Sequence, residues 1–217
     1  MNPKRSIDAL IFDLDGTLVD SLADLTASVN HVRTLRGRPM VSDRVVRSFV
    51  GDGLETLLSR ALDTTDGRVL KSAADDFRAH YTPHCLDRTR LYDGALDVLD
   101  RFAAKKLAVV SNKPEAFTRK ILDGLGVSGR FEIILGPESV QRQKPDPESY
   151  RLVAGRFAVD PSRFCAVGDR MTDIQAGRAA GMMTAGVTYG IGDPDEMRSA
   201  TPDAVLGSLR ELEKYIE

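Results

Sequence analysis

Two aspartates follow an apolar segment near the amino terminus, and their spacing suits metal and phosphoryl chemistry. Residues 7–12 are mostly apolar, and Asp13, Asp15, Gly16 and Thr17 come directly after them. A continuous apolar run is typical of a strand buried in a parallel sheet, and alternation along it turns both aspartates to one side. Adjacent carboxylates repel each other unless a cation or a shared proton relieves them. We therefore predict a site for Mg²⁺ and phosphoryl transfer here, with a solvated acidic turn as the plain alternative.

Polar residues also follow three later segments that are predicted to be strands. The carboxyl ends of parallel strands share one edge of the sheet, so these residues are expected to converge with the first pair. Carboxylates bind Mg²⁺, and hydroxyl, amide and ammonium groups can hold phosphate oxygens. An aspartate can attack phosphorus, while a second carboxyl group protonates the leaving oxygen and then activates water. The later residues are Ser111, Asn112, Lys144, Asp169 and Asp173.

The elements that would position these residues fall into two kinds. Residues 18–81 repeat apolar side chains at helical spacing, which predicts a helical bundle inserted after the first strand. From residue 95 onward, helices alternate with apolar strands, which predicts an α/β fold: a Rossmann-like parallel sheet with helices on both faces. We predict a core of residues 1–16 and 91–217 and a helical cap of residues 17–90. The later strands are expected at 107–110, 132–135, 164–167, 184–189 and 204–206, and the helices at 95–104, 115–125, 147–157, 173–180 and 209–216.

The amino-acid composition disfavours some classes of partner and function. The chain has 217 residues, of which 42% are hydrophobic, and its 30 basic residues nearly balance 32 acidic ones. This balance disfavours a nucleic-acid partner. No segment has the ~18 apolar residues needed to span a bilayer, so no membrane partner is expected. The two cysteines lack CxxC spacing, which favours a reduced, cytoplasmic protein.

The histidines are not expected to bind zinc. His31, His80 and His84 show no ligand pattern with the cysteines. His80 and His84 are four residues apart, but Pro83 lies between them and is expected to end the helix. Surface or packing roles are therefore predicted for all three.

Four segments in order resemble the motifs of the haloacid dehalogenase-superfamily phosphatases. DLDGTLVDS at residues 13–21 resembles the first motif, and Ser111 the second. KPDP at residues 144–147 resembles the third, and GDRMTD at residues 168–173 the fourth. The resemblance covers essentially the whole chain. It implies a Rossmann-like core with a helical cap and a Mg²⁺-dependent reaction through an aspartyl-phosphate.

The resemblance also implies roles for individual residues. Asp13 would be the nucleophile and a Mg²⁺ ligand. Asp15 would be the general acid and then base, and its backbone carbonyl a further ligand. Asp169 would be a metal ligand, and Asp173 would support the metal site. The expected phosphate-binding residues are Thr17, Ser111, Asn112 and Lys144, and the possible substrate contacts from the cap are Gly51, Asp52, Gly53 and Arg60.

Within the superfamily, residues 49–54 and 186–190 resemble segments of the phosphoglycolate phosphatases. The implied partner is a small phosphorylated metabolite, first of all 2-phosphoglycolate, with the chain a monomer or homodimer. Other substrates stay open, namely a sugar phosphate of the N-acetylmuramate 6-phosphate type or pyrophosphate. So do a β-phosphoglucomutase-like mutase and a non-enzymatic, phosphate-responsive switch. Arg170 departs from the small hydroxyl residue often found at its position.

Overall fold

A six-stranded parallel sheet forms the centre of the molecule, whose computed structural model describes residues 4–217. The strands of the described chain are β1 (Ala9–Phe12), β2 (Val19–Asp20), β3 (Arg90–Leu91), β4 (Lys106–Val110), β5 (Ile133–Leu135), β6 (Phe164–Gly168), β7 (Met183–Val187) and β8 (Ala204–Leu206). The sheet order is β5-β4-β1-β6-β7-β8. β1 lies inside the sheet, paired in parallel with β4 and with β6.

Helices cover both faces of this sheet, as predicted. Leu10 and Phe12 belong to one buried apolar cluster, and Ala9 and Ile11 belong to a second cluster. Because side chains alternate along a strand, the two clusters lie on opposite faces. The helices are α1 (Leu22–Leu35), α2 (Asp43–Arg47), α3 (Gly53–Leu62), α4 (Gly67–His84), α5 (Ala95–Arg101), α6 (Glu115–Gly124), α7 (Glu148–Phe157), α8 (Met171–Ala179) and α9 (Pro194–Ser199).

The helices α1 to α4 lie between β2 and β3 in the chain. These two short strands pair antiparallel, Val19 with Leu91 and Asp20 with Arg90, where the chain leaves the sheet region and returns to it. Two-residue strands carry no readable periodicity, and the sequence did not predict them. We call α1 to α4 with their connections the cap. Its boundaries at residues 17 and 90 stay a prediction.

Three features of the helices differ from the sequence-based expectation. Helix α4 continues through Pro83 to His84 instead of ending before the proline. A proline so close to the last residue disturbs only the final turn, and this places His80 and His84 on one helical face. The segment predicted as a last helix is the 3₁₀ helix Leu209–Lys214, and α9 was not predicted.

Among residues 4–217, none of the helices has the length and apolar character that crossing a bilayer requires.

Candidate active site

Three buried carboxylates meet where β1 and β6 end. Asp13 directly follows β1, and its N–H donates to Val167 O at 2.9 Å, which continues the ladder to β6. Asp169 directly follows β6, and Asp173 lies in the first turn of α8. Asp13, Asp169 and Asp173 each offer an oxygen, and these oxygens lie within 4.8 Å of one another. Residues 156 positions apart along the chain thus share one spot.

Lys144 joins two of these carboxylates. Its Nζ donates to Asp13 Oδ1 and to Asp173 Oδ1, both at 2.7 Å, and to Val110 O at 2.8 Å. The lysine side chain is only 3% exposed, so both ion pairs are shielded from water. Burial lowers the pKa of Lys144, but Asp13 and Asp173 outweigh burial and raise it well above its usual value. Lys144 is therefore a permanent positive charge inside the site.

Burial makes the carboxylate cluster costly without a further cation. It raises the pKa of Asp13 to about 6 against the attraction of Lys144, and nearby Asp173 adds to the rise. It also raises the pKa of Asp169 to about 7, with Asp13 and Asp173 adding repulsion. Three carboxylates against the one ammonium of Lys144 leave two negative charges. This donor set, all hard oxygen, fits the ligand preference of Mg²⁺.

The surroundings of Asp169 hold it rigidly. Gly192 N–H donates to Asp169 Oδ2 at 2.7 Å, and Thr17 Oγ donates to Asp169 Oδ1 at 3.4 Å. Gly16 has φ +89°, and a Cβ there would lie 2.0 Å from Asp169 Oδ2. The glycine in the first motif is thus required by the carboxylate beside it. Thr17 is fully buried and its hydroxyl is turned to Asp169, and its contact with phosphate stays a prediction.

Asp15 makes a separate buried ion pair. Lys113 Nζ lies 3.0 Å from Asp15 Oδ2, and Ser21 Oγ donates to Asp15 Oδ1 at 2.5 Å. The same Lys113 Nζ lies 2.8 Å from Tyr81 OH, which belongs to α4 of the cap. No functional role was predicted for Lys113 or Tyr81. Lys113 directly follows Ser111 and Asn112 in the sequence, and this position after a strand could have indicated a site residue. No local sequence pattern indicates that Tyr81 lies in the site.

Ser111 and Asn112 follow β4 and are both buried. Ser111 lies in the cavity wall together with Asp13 and Lys144. Asn112 Nδ2 donates to Gly51 O at 3.0 Å and to Lys144 O at 3.1 Å, and its Oδ1 accepts from Lys144 N–H. Both amide hydrogens are thereby engaged. Asn112 therefore joins Gly51 of the cap to the Lys144 loop, and its contact with phosphate stays a prediction.

A cavity of about 60 Å³ separates the cap from these strand ends. Asp13, Asp15, Ser111 and Lys144 contribute polar groups to its wall. The side chains from the cap are mostly apolar, and the wall includes Leu25, Val50, Leu54, Leu57, Phe77 and Tyr81. The charged chemistry is therefore confined to the core side.

The four residues predicted as cap contacts divide into two pairs. Gly51 and Gly53 line the cavity. Asp52 and Arg60 lie outside its wall and form an ion pair with each other at 2.6 Å. Arg60 also donates to Phe49 O, so it braces the turn before α3 rather than facing the cavity.

Arg170 reaches from the core to the cap. Its NH2 donates to Arg47 O at 3.0 Å, and Arg47 NH2 donates to Gly190 O at 3.0 Å. Arg170 of the core thus binds a backbone oxygen of the cap, and Arg47 of the cap binds a backbone oxygen of the core. This arrangement gives a physical reason for a long side chain at position 170.

Comparisons with known proteins agree with this geometry. The family model described as haloacid dehalogenase-like hydrolase matches residues 10–187. The N-acetylmuramic acid 6-phosphate phosphatase of Pseudomonas aeruginosa is 35% identical over 213 residues, which cover 96% of this chain and 94% of that protein. The phosphoglycolate phosphatase of Haemophilus influenzae is 35% identical over 211 residues, covering 93% and 94%.

A solved structure is similar over nearly its whole length. The crystal structure of a predicted phosphoglycolate phosphatase from Haemophilus somnus superposes with a TM-score of 0.91 and 29% identity, covering 97% of this chain and 98% of that one. The family match spans both the sheet and the cap, and it includes every strand end described above except that of β8. The chain belongs to the haloacid dehalogenase-like hydrolases.

Proposed function

We propose that this protein is a Mg²⁺-dependent phosphatase that hydrolyses a small phosphomonoester, 2-phosphoglycolate, through an aspartyl-phosphate on Asp13. The observation that carries this proposal is the meeting of Asp13, Asp169 and Asp173 with Lys144 beside a cavity. Hydrolase relatives named for phosphate esters support the reaction class.

The carboxylates of the cluster would form the Mg²⁺ site. Asp13 and Asp169, with the backbone carbonyl of Asp15, would hold Mg²⁺, and Asp173 would support them. Bound there, Mg²⁺ supplies positive charge to the phosphoryl oxygens. Phosphoryl transfer depends mostly on positioning and charge stabilisation, and Lys144 and Ser111 contribute both from the protein.

The reaction has two steps. A carboxylate oxygen of Asp13 attacks phosphorus, the bond from phosphorus to the ester oxygen breaks, and Asp15 gives its proton to the departing oxygen. Asp15 then takes a proton from water as the water oxygen attacks phosphorus. The bond from phosphorus to Asp13 breaks, which releases inorganic phosphate and restores the free carboxylate. Each carboxyl group thus performs one role, nucleophile or acid and base.

The size of the cavity favours a small substrate. About 60 Å³ corresponds to roughly five water molecules at ~10–15 Å³ each. With the cap in this position, a small ester such as 2-phosphoglycolate fits such a cavity more easily than an N-acetylated sugar with a lactyl ether does. N-acetylmuramic acid 6-phosphate remains the second candidate because a relative that is 35% identical is named for it.

Initial rates of phosphate release with Mg²⁺ test the proposal. The panel is 2-phosphoglycolate, N-acetylmuramic acid 6-phosphate, pyrophosphate and β-glucose 1-phosphate, each also assayed in EDTA. We expect the highest kcat/KM for 2-phosphoglycolate and no release in EDTA. Isomerisation of the sugar phosphate without phosphate release indicates a mutase, and a stable phosphoprotein without turnover indicates a switch.

The cellular location, the partner and the oligomeric state of the enzyme are also part of the proposal. Cys85 and Cys165 are free and buried, in keeping with a reducing cytoplasm. The proposed partner is a small phosphorylated metabolite, and a monomeric or homodimeric state stays a prediction.

A further inference from the structure

Lys113 is a buried cation in the wall of the active-site cavity. Its side chain is 6% exposed, and the residue lies in the cavity wall with Asp15 and Tyr81. In the reaction proposed above Lys113 contacts Asp15 but touches no reacting atom, and Lys144 already serves the phosphoryl end. A buried ammonium is costly unless it is well paired, so its presence calls for a reason.

The contacts of Lys113 keep its ammonium group charged and fix its position. Its Nζ donates to both oxygens of Asp15, Oδ1 at 3.2 Å and Oδ2 at 3.0 Å, and to Tyr81 OH at 2.8 Å, and lies 4.6 Å from the centre of the Tyr81 ring. Burial lowers the pKa of Lys113, but Asp15 and Tyr81 outweigh burial and raise it. An ammonium has three N–H donors. Two of the three acceptors belong to the single carboxylate of Asp15, so a ligand oxygen can replace one of them while Lys113 keeps a hydrogen bond to Asp15 and one to Tyr81.

The other side chains of the cavity make Lys113 the natural partner for a second negative charge. Leu54, Leu57, Phe77 and Phe117 offer only apolar surface. Arg170 also lines the cavity, but its NH2 is bound to Arg47 O. A charged group placed against the apolar wall would lose its hydration without compensation.

The position of Lys113 next to Asp15 sets the distance between the two charged ends of a ligand. In the proposed reaction Asp15 contacts the ester oxygen, and Lys113 Nζ is 3.0 Å from Asp15. A carboxylate bound to Lys113 must therefore lie within a few bonds of that oxygen. Phosphate esters of 2-hydroxy acids meet this condition, because a single carbon separates the ester oxygen from the carboxylate.

We propose that Lys113 is the specificity-determining residue of this site: it binds a carboxylate on the alcohol part of the substrate and so selects phosphate esters of small 2-hydroxy acids. The inference rests on the proposed phosphatase function. Tyr81 is a positioning residue, which holds the ammonium from the cap side. The carboxylate site is therefore complete only when cap and core are together.

The test compares 2-phosphoglycolate with ethyl phosphate, which has the same chain length but no carboxylate. For Lys113→Met, we expect kcat/KM to fall about 10–100-fold more for 2-phosphoglycolate than for ethyl phosphate, the range for a lost charge-assisted hydrogen bond. Lys113→Arg should recover part of this preference. Tyr81→Phe should raise KM for 2-phosphoglycolate several-fold and leave KM for ethyl phosphate unchanged. Lys120→Met, at an exposed position on α6, is the matched control and should change neither rate.

Inhibition by glycolate gives a second readout, with p-nitrophenyl phosphate as the reporter. Lys113→Met should raise the inhibition constant of glycolate at least tenfold and leave that of inorganic phosphate unchanged. Equal losses on both substrates, or an unchanged glycolate constant, would show that Lys113 only positions Asp15 and would overturn the inference. Should Lys113→Met fail to fold, Lys113→Arg and Tyr81→Phe carry the same comparison.

The two proposals fail in different ways. Wild-type enzyme that releases phosphate from ethyl phosphate as fast as from 2-phosphoglycolate contradicts the role of Lys113 alone. Wild-type enzyme that releases phosphate from no ester with Mg²⁺ contradicts the proposed function.

Discussion

Replacing Asp169 by asparagine should make the metal-free protein more stable at pH 8. Asp169 is 1% exposed, and burial with the repulsion of Asp13 and Asp173 raises its pKa from 3.8 to about 7. This rise corresponds to about 4 kcal/mol of destabilisation when the group is ionised, at ~1.4 kcal/mol per unit. Asparagine removes the charge but cannot accept from both Gly192 and Thr17, which costs about 1–2 kcal/mol. We expect a net gain of about 2 kcal/mol, or roughly 4–8 °C in Tm.

The sign of the pH dependence follows from the same values. Between pH 3.8 and about 7 the folded protein holds a proton on Asp169 that the unfolded chain has lost. The free energy of unfolding contributed by this group therefore falls as the pH rises through that window. The advantage of Asp169→Asn should thus be largest at pH 8 and shrink toward zero near pH 5.

Urea unfolding followed by far-UV circular dichroism, in EDTA at pH 5 and pH 8, measures this difference. Asp203→Asn is a control of opposite sign: burial raises the pKa of Asp203, but hydrogen bonds from Thr184 and the charge of Arg5 lower it overall. That variant should lose stability at pH 8. An Asp169→Asn protein less stable than wild type at pH 8 in EDTA refutes the view that the carboxylate cluster is held under electrostatic strain.

Three further predictions concern other parts of the molecule. Asp13→Asn should lower kcat for phosphate release at least ~10³-fold, with an unchanged circular dichroism spectrum; retained turnover would remove Asp13 as nucleophile. Gly16→Ala should weaken Mg²⁺ activation by an order of magnitude or more, because its Cβ would overlap Asp169; an unaltered Mg²⁺ titration would contradict this. His80 stacks on His31 and lies against His84, and burial with these neighbours lowers its pKa below 6.5. Stability should therefore fall as the pH drops below 6.5, and His80→Gln should reduce this fall in urea titrations; an identical pH profile in the variant would argue against it.

Much of the sheet and the meeting of its strand ends could be predicted from the sequence. The strand that precedes Asp13 reads as a buried apolar run, and helix–strand alternation implies parallel pairing, which brings Asp169 to the same edge. The predicted topology alone therefore places Asp13 and Asp169 close together, although they are far apart in the sequence. The roles proposed for these residues come from the resemblance to the haloacid dehalogenase-superfamily phosphatases.

The details that were missed depend on contacts between distant elements. The sequence did not predict the hydrogen-bond partners of Thr17 and Asn112, which are Asp169 in the first case and Gly51 and Lys144 in the second. Helical periodicity predicts that Tyr81 is buried, but it does not predict that the Tyr81 hydroxyl contacts a lysine of the core. Such side-chain pairings are set by how the cap packs on the sheet, and no local pattern encodes them.

The central claim is that Asp13 carries the phosphoryl group during turnover. Its most direct test is rapid acid quenching of the Mg²⁺-loaded enzyme mixed with 2-phosphoglycolate, followed by peptide mass spectrometry. We predict a transient acyl phosphate on Asp13 that forms and decays at rates compatible with kcat. Phosphate release with no protein-bound phosphate, or with phosphate on another residue, would contradict the account.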